Sequence, residues 1–215
     1  SKDLPQLLDR LQGTCAAIAN NRSLEADYEN LYFDSEDLRC LRDHQRGLRP
    51  RFKVRIRHHV SREMSFLEIK RKGKNESTVK SRRTRDFRDE TLCTESLAFI
   101  EANSNLQGET LRPKLRIRFT RIGLVGLKSE ERITLDQHLS FTGEGEASQW
   151  SGLTIVEVKQ ARFDPQAPIL MALRYSSARM LSISKYCLGA HLCLPQANTD
   201  WYGKKIHLLR TLIDG

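Results

Sequence analysis

Residues 51–59 read Arg-Phe-Lys-Val-Arg-Ile-Arg-His-His, and residues 65–72 read Ser-Phe-Leu-Glu-Ile-Lys-Arg-Lys. In both segments apolar and charged side chains alternate, which is the period-two pattern of a β-strand with one buried face. The charged face of the first segment carries Lys53, Arg55 and Arg57, and that of the second carries Glu68 and Lys70. These two segments therefore predict strands whose polar face consists of charged side chains.

The same pattern recurs further along the chain. It appears at Leu115–Phe119 with Arg116 and Arg118, at Glu131–Leu139 with Arg132 and Asp136, and at Leu153–Lys159 with Glu157 and Lys159. Helical spacing of apolar residues predicts a helix at 3–20 and another at about 203–213. The pattern thus predicts one α+β domain over 1–215, with an antiparallel sheet at about 28–189 flanked by helices.

The charged strand faces have two possible explanations. An antiparallel sheet commonly turns one polar face to water, and the charges could be no more than that. Alternatively, the strands form a barrel whose lumen is basic and whose apolar outer face packs under the helices. The excess of Arg and Lys over Ser, Thr and Gln on these faces favours the basic tunnel.

Composition points to an anionic partner in a reducing compartment. The 215 residues include 36 Lys and Arg against 27 Asp and Glu, a net charge of +9. The five cysteines are scattered without a C-x-x-C pair, which favours a cytoplasmic location. No apolar run approaches the roughly 20 residues that cross a bilayer, so a membrane association would require a separate partner or a missing segment.

Such a basic tunnel suits phosphate chains. Guanidinium forks bind phosphate oxygens bidentately, and lysines add point charge. A few carboxylates among them would bind a divalent cation that bridges phosphates. Phosphoryl transfer needs positioning, charge neutralisation and a metal, but little covalent work by the protein.

The order of several segments resembles the VTC domain of polyphosphate polymerases, in the triphosphate tunnel metalloenzyme (CYTH-like) superfamily. The segments are Leu31-Tyr32-Phe33-Asp34, residues 51–57, residues 66–72, Lys80-Ser81-Arg82-Arg83, residues 111–121, residues 132–136, Val156-Glu157-Val158-Lys159 and Ser184-Lys185-Tyr186. The resemblance implies an antiparallel tunnel barrel, Mn²⁺ or Mg²⁺ as cofactor, and ATP as the donor that extends inorganic polyphosphate or a pyrophosphate primer.

The resemblance also implies roles for individual residues. By position, the catalytic cations are Arg55, Arg57, Lys70, Arg121, Arg132 and Lys185, and Glu157 is the metal ligand. Further substrate contacts are expected from Glu68, Lys53, Lys80, Arg82, Arg83, Arg116, Arg118 and Lys159. Strand parity places Arg116 and Arg118 opposite to Arg121, so these three are alternatives for one site unless a β-bulge reconciles them. The basic stretch from Lys70 to Arg88 is either a tunnel mouth or a solvated loop.

One departure from the family pattern keeps other functions open. The family usually begins with a strand of the R-x-E-x-K-Y kind, and the segment before Tyr28 reads as helix instead, so that strand was either cut or lost. A triphosphatase that uses water would need nearly the same tunnel. A non-catalytic module that binds polyphosphate, inositol phosphates or nucleotides would suit an incomplete barrel. A nucleic-acid binder is not expected, because the aromatic residues do not interleave with the basic strands.

Overall fold

The computed structural model describes residues 3–20, 23–75, 77–128, 130–144, 146–197 and 200–214. Within these residues the chain forms nine β-strands and six α-helices. The strands are β1 Cys15–Ala17, β2 Glu25–Asp34, β3 Arg51–His59, β4 Met64–Lys72, β5 Thr78–Arg85, β6 Arg112–Gly126, β7 Glu131–Thr142, β8 Ala147–Trp150 and β9 Ile155–Gln160. The helices are α1 Leu4–Arg10, α2 Arg39–Gln45, α3 Thr94–Asn103, α4 Pro168–Leu173, α5 Lys185–Cys193 and α6 Asp200–Asp214.

All nine strands belong to one antiparallel sheet, as the sequence predicts. The order is β5-β4-β3-β2-β6-β7-β8, with β1 paired to β6 and β9 paired to β7. Among the described residues no pairing joins β5 to β8 or β9, so the sheet stays open between these edges. The predicted α+β class, with an antiparallel sheet flanked by helices, is confirmed.

One face of the sheet is apolar and lies under helices. Phe52, Val54 and Ile56 on β3 alternate with charged neighbours and are buried. They join Leu67 and Ile69 of β4 and Ile100 of α3 in one cluster. Farther along the same face, β6 and β7 pack against α1 and α4. Because this face is buried, a one-residue slip in register would expose it, so the charged set is fixed on the opposite face.

The opposite face is shared between a helical cover and charged side chains. Helix α5 packs on β6 and β7 and α6 packs on α5, and both helices share one apolar cluster with Leu115, Ile117, Phe119 and Phe141. At Gly189 the backbone of α5 approaches the sheet so closely that an added Cβ would lie 2.5 Å from Phe141. Away from this cover the same face carries most of the predicted Arg and Lys residues, and we call it the basic face.

Several predicted elements have different bounds in the structure. The helix predicted at 3–20 ends at Arg10, because Gly13 turns the chain with φ +72° and residues 15–17 add a strand to β6. The basic stretch read as a tunnel mouth or a loop contains β5, whose polar residues on both faces concealed the strand pattern. The range predicted for strands, 28–189, also includes α2, α3, α4 and the start of α5, while α6 covers the predicted 203–213.

No helix in the part of the chain that the structure describes is both long and apolar enough to cross a membrane.

Candidate phosphate-binding site on the basic face

Strand register aligns the predicted residues in rows across β3, β4 and β5. Arg55 lies opposite Glu68, which lies opposite Arg82. In the neighbouring row Lys53 lies opposite Lys70, which lies opposite Lys80. Because side chains at paired positions project from the same side of the sheet, all six belong to the basic face.

Glu68 holds three cations around one buried carboxylate. Its side chain is 3% exposed, and its Oε2 accepts a hydrogen bond of 2.8 Å from Arg55 Nε. Arg57 Nε lies 3.5 Å from the same oxygen, and the Lys80 ammonium contacts Oε1. One carboxylate thus neutralises only part of the charge of three cations, and the remainder favours an added anion.

The environment of Glu68 keeps it ionised. Burial alone would raise its pKa, but Arg55, Arg57 and Lys80 outweigh burial and lower the pKa of Glu68 to about 2. Burial and the neighbouring charge of Arg55 lower the pKa of Arg57 to about 10. Glu68 is therefore an anchor for the cations and not a proton acceptor near neutral pH.

Polar and aromatic side chains of β2 orient the arginines from the other side. Arg55 donates a 2.8 Å hydrogen bond to the Tyr32 hydroxyl, and Arg57 donates a 3.0 Å bond to Asn30 Oδ1. The guanidinium of Arg57 also lies 5.6 Å from the centre of the Tyr28 ring. Planar groups fixed by hydrogen bonds and rings lose little rotamer freedom when they bind a phosphate.

A second buried carboxylate, Asp136 on β7, organises a second cationic group. Its Oδ1 and Oδ2 accept hydrogen bonds of 2.5 Å and 2.8 Å from Arg121, and Oδ2 lies 2.5 Å from Lys185 Nζ. Burial would raise the pKa of Asp136, yet Arg121 and Lys185 lower it. Arg121 also lies 5.2 Å from the Tyr28 ring, so Tyr28 stands between the two groups.

The first turn of α5 contributes to the same face. Ser184 caps this helix by accepting a hydrogen bond from the Cys187 amide. The Ser184 hydroxyl is also 2.8 Å from Lys53 Nζ, while Lys185 in the next position reaches Asp136. The amino end of α5 therefore lies between the cations of β3 and β7, where its backbone dipole favours negative charge.

Arg132, Glu157 and Lys159 form the β7–β9 border of the basic face. Lys159 lies opposite Arg132, and Glu157 lies opposite Thr134. The Glu157 carboxylate is 53% exposed and 3.5 Å from Lys159 Nζ. Burial would lower the pKa of Arg121, but Asp136, Tyr28 and Glu157 raise it, which places Glu157 within electrostatic reach of Arg121.

Three of the predicted residues lie on the opposite face. Arg116 and Arg118 pair with Glu29 of β2, and Arg116 also donates to Glu90. Arg83 lies opposite Leu67, and its guanidinium donates to the Glu95 carbonyl. The β2–β6 register runs without a shift from Leu115 to Ile122, so no bulge brings Arg116 or Arg118 beside Arg121. The structure thus groups Arg121, and not the other two, with Arg55 and Arg57.

Sequence reasoning missed several residues that hold this site together. In the sequence Asp136 is only one member of a strand pattern, and no motif assigns a role to Tyr28, Asn30, Tyr32 or Ser184. The alternation of strand faces could have identified Asp136, because it lies two residues from Thr134 and four from Arg132 and therefore shares their face of the strand. The contributions of β2 and α5 depend on strand order and helix packing, which the sequence pattern does not specify.

The carboxylates available on the basic face determine which residues could bind a metal ion. Among the described residues no cluster of three or more His, Cys, Asp or Glu side chains is arranged to hold a metal ion. Glu68 and Asp136 are engaged with cations, whereas Glu157 is exposed with Lys159 as a neighbour. Glu157 fits as one protein ligand of a hard divalent ion whose other ligands are phosphate oxygens and water.

Comparison with known proteins identifies the family of this chain. The family model of the VTC domain matches residues 1–194. The chain belongs to the VTC domain family. A search of the curated proteins finds no significant match.

Two solved structures are similar to this chain at low sequence identity. The crystal structure of an adenylate cyclase candidate from Bacillus halodurans has a TM-score of 0.56 and 14% identity, covering 86% of this chain and 89% of that chain. An adenylyl cyclase candidate from Hippeastrum with a dominant triphosphatase activity is 15% identical, covering 92% and 95%, with a TM-score of 0.48. The first similarity shows that the two chains share a fold, and the second is too low to carry an argument.

Proposed function

We propose that this VTC domain is a polyphosphate polymerase, which transfers the terminal phosphoryl group of ATP to a growing inorganic polyphosphate chain. The observation that carries the proposal is the pair of cationic groups around Glu68 and Asp136, with Tyr28 between them. Two separate groups of phosphate-binding cations suit a donor and an acceptor that are both phosphate chains.

The lowered pKa values of Glu68 and Asp136 favour a phosphate chain over water as the acceptor. Water is a weak nucleophile that needs a base, but the lowered pKa values of Glu68 and Asp136 make both poor bases. The terminal phosphate of an acceptor chain is already largely ionised at neutral pH, because its second pKa is near 6. Positioning and charge neutralisation by Arg55, Arg57, Arg121 and Lys185 then suffice for transfer.

The remaining residues of the basic face have supporting roles in this proposal. Lys70 and Arg132 line the ends of the site, and Lys53, Lys80, Arg82 and Lys159 contact the phosphate chains. Glu157 would hold Mn²⁺ or Mg²⁺ together with phosphate oxygens, and a bound divalent ion supplies neutralisation of charge on the transferred group. The proposed partners are ATP and polyphosphate or a pyrophosphate primer, in a cytoplasmic setting that accords with the free cysteines.

A tunnel-type triphosphatase is the second candidate. It is favoured by one observation, the exposure of Glu157, which leaves that carboxylate able to orient a water molecule near Arg121. The two activities use the same cations and differ in the acceptor. Products, and not binding, therefore distinguish them.

The test is to incubate the protein with ATP and Mn²⁺, with and without pyrophosphate, and to measure polyphosphate on a stained gel and free phosphate in the same sample. We expect a ladder that Arg55→Ala abolishes, while Arg118→Ala, on the opposite face, preserves it. Free phosphate without a ladder would replace the polymerase with the triphosphatase. No product from wild-type protein, with polyphosphate still bound, would indicate a binding module instead.

A further inference from the structure

Strand β5 forms an open edge of the sheet. It pairs with β4 along its whole length, from Thr78 to Arg85, and among the described residues no strand pairs with its other side. An unpaired sheet edge presents a row of N–H and C=O groups that can bind another strand. The side chains of β5 therefore determine which strand can bind there.

The hydrogen-bond pattern identifies the residues of β5 whose backbone faces the open edge. The Gly73 amide donates a 2.9 Å bond to the Ser77 carbonyl, so these two residues form a hydrogen-bonded pair where β4 turns into β5. Hydrogen-bonded and non-hydrogen-bonded pairs alternate in an antiparallel ladder. The bonds to β4 therefore come from residues an even number of positions after Ser77, in a continuous register, which are Val79, Ser81, Arg83 and Arg85. The outward N–H and C=O groups belong to the residues between them, which are Thr78, Lys80, Arg82 and Thr84.

The charged side chains of β5 are all positive. The strand reads Thr-Val-Lys-Ser-Arg-Arg-Thr-Arg and contains no acidic residue. Lys80 and Arg82 lie on the basic face, where the exposed Arg82 extends over the Phe66 ring at 5.1 Å from its centre. A second copy of β5 would place like charges opposite each other, which destabilises strand pairing. The charge thus disfavours a second copy of the chain and favours a strand that carries carboxylates on this face.

The other face of β5 borders an apolar groove of about 410 Å³ beside the end of α3. The α3 groove, as we name it, is lined by Phe52, Ile69, Val79 and Ser81 of three neighbouring strands and by residues 102–105 at the end of α3. Phe52 and Ile69 are buried, whereas Val79 is 46% exposed. An apolar side chain placed beside Val79 would therefore remove apolar surface from water.

We propose that β5 binds an extended acidic segment of a protein partner, which adds to the sheet as an antiparallel strand. The antiparallel direction matches all the pairings of the described strands. Residues of the added strand opposite Lys80 and Arg82 project to the basic face and are acidic. Those opposite Val79 and Ser81 project to the α3 groove and are apolar. Main-chain bonds supply affinity and this alternation supplies specificity. The inference goes beyond the proposed function and does not depend on it.

The first experiment uses a labelled synthetic peptide of alternating Glu and Val, titrated with the protein in a buffer without phosphate and followed by fluorescence polarisation. Two further peptides carry N-methyl groups, one on every Glu and the other on every Val. In the proposed register the backbone of each Glu bonds to β5, while that of each Val points away. We expect methylation of Glu to abolish binding and methylation of Val to leave the affinity within about twofold. Equal affinities of the two methylated peptides would refute strand addition.

Two changes of peptide side chain test the two faces separately. A peptide of alternating Lys and Val should not bind detectably, because its ammonium groups would lie opposite Lys80 and Arg82. A peptide of alternating Glu and Ser should bind about tenfold more weakly, because it loses apolar contact in the α3 groove. Binding of the Lys peptide as tight as that of the Glu–Val peptide would refute the acidic partner.

Thr84 offers a matched pair of protein variants, since it is exposed and its N–H points outward. Thr84→Pro removes this donor without removing a bond to β4, whereas Thr84→Val keeps it. We expect Thr84→Pro to bind the Glu–Val peptide about tenfold more weakly and Thr84→Val to bind it like wild type. Equal affinities of two folded variants would contradict the proposal.

Hydrogen exchange of wild-type protein, measured by NMR, decides the matter without any variant. Addition of the Glu–Val peptide should slow exchange of the outward amides of Lys80, Arg82 and Thr84, while the amides of Val79 and Ser81 are protected with or without it. Unchanged exchange of the outward amides at saturating peptide would overturn the proposal. So would their protection in concentrated protein without peptide, which would identify a second copy as the occupant. Because every measurement omits ATP and polyphosphate, none of these failures bears on the proposed function.

Discussion

Replacement of Glu68 by Gln tests whether its carboxylate anchors the cations of the basic face. In the folded protein the pKa of Glu68 falls from 4.5 to about 2. A shift of that size corresponds to about 3 kcal/mol of stability near neutral pH, at 1.36 kcal/mol per unit. Glu68→Gln should lose about that much, because Arg55, Arg57 and Lys80 then face each other without a counter-charge.

The direction of the pKa shift determines how the stability contribution of Glu68 varies with pH. Because the pKa is depressed in the folded state, the contribution of Glu68 is fully present above pH 4.5 and is lost as pH falls toward 2. Urea unfolding should therefore show wild type about 3 kcal/mol more stable than Glu68→Gln near neutral pH. The difference in the free energy of unfolding between the two proteins should decrease steadily as the pH falls through the acid range.

The control for this series is Glu157→Gln, since Glu157 lies on the same face but is 53% exposed. Its stability should change by no more than about 0.5 kcal/mol, as is usual for exposed charges. Equal stability of Glu68→Gln and wild type at neutral pH would refute the reasoning. So would a difference that does not depend on pH.

Two further changes test the second carboxylate and the helical cover. Asp136→Asn leaves Arg121 and Lys185 buried without their counter-charge, so chemical denaturation should show a loss of roughly 3 kcal/mol, part of which added phosphate restores. No loss, or no rescue by phosphate, would contradict this role. Gly189→Ala should lower stability by about 2 kcal/mol, because its Cβ would meet Phe141 at 2.5 Å. Gly203→Ala should instead raise stability by about 0.5–1 kcal/mol as a better helix former, because an added Cβ would meet no described atom within 4 Å beyond its chain neighbours and its own helix backbone. Equal melting temperatures for the two glycine variants would show that α5 does not pack tightly here.

Alternation alone specifies much of the sheet. In β3 and β4 the apolar and charged positions separate cleanly, so the faces of Arg55, Arg57, Glu68 and Lys70 follow from period two. The same parity places Arg116 and Arg118 away from Arg121, and the continuous register bears it out. The local pattern predicts the strand faces here because any register shifted by one residue would expose the apolar side chains that must be buried.

The sequence pattern fails where structure depends on partners distant in the chain. Strand β5 is polar on both faces because it lies at the edge of the sheet, so alternation does not reveal it. Asp136 lies four residues after Arg132 on the same strand, but its partner Lys185 comes from α5. Helix packing and strand order bring such residues together, and neither leaves a periodic signal.

The central claim is that the basic face, and not the opposite face, binds phosphate chains. Titration of tripolyphosphate into wild type, Arg57→Ala and Arg118→Ala tests it most directly, because both variants remove one arginine, from opposite sides of the sheet. The account predicts that Arg57→Ala weakens binding at least tenfold, since a charge-assisted bidentate contact is worth about 1.5–3 kcal/mol. Arg118→Ala should bind within twofold of wild type. Equal losses in the two variants, or a loss confined to Arg118→Ala, would contradict it.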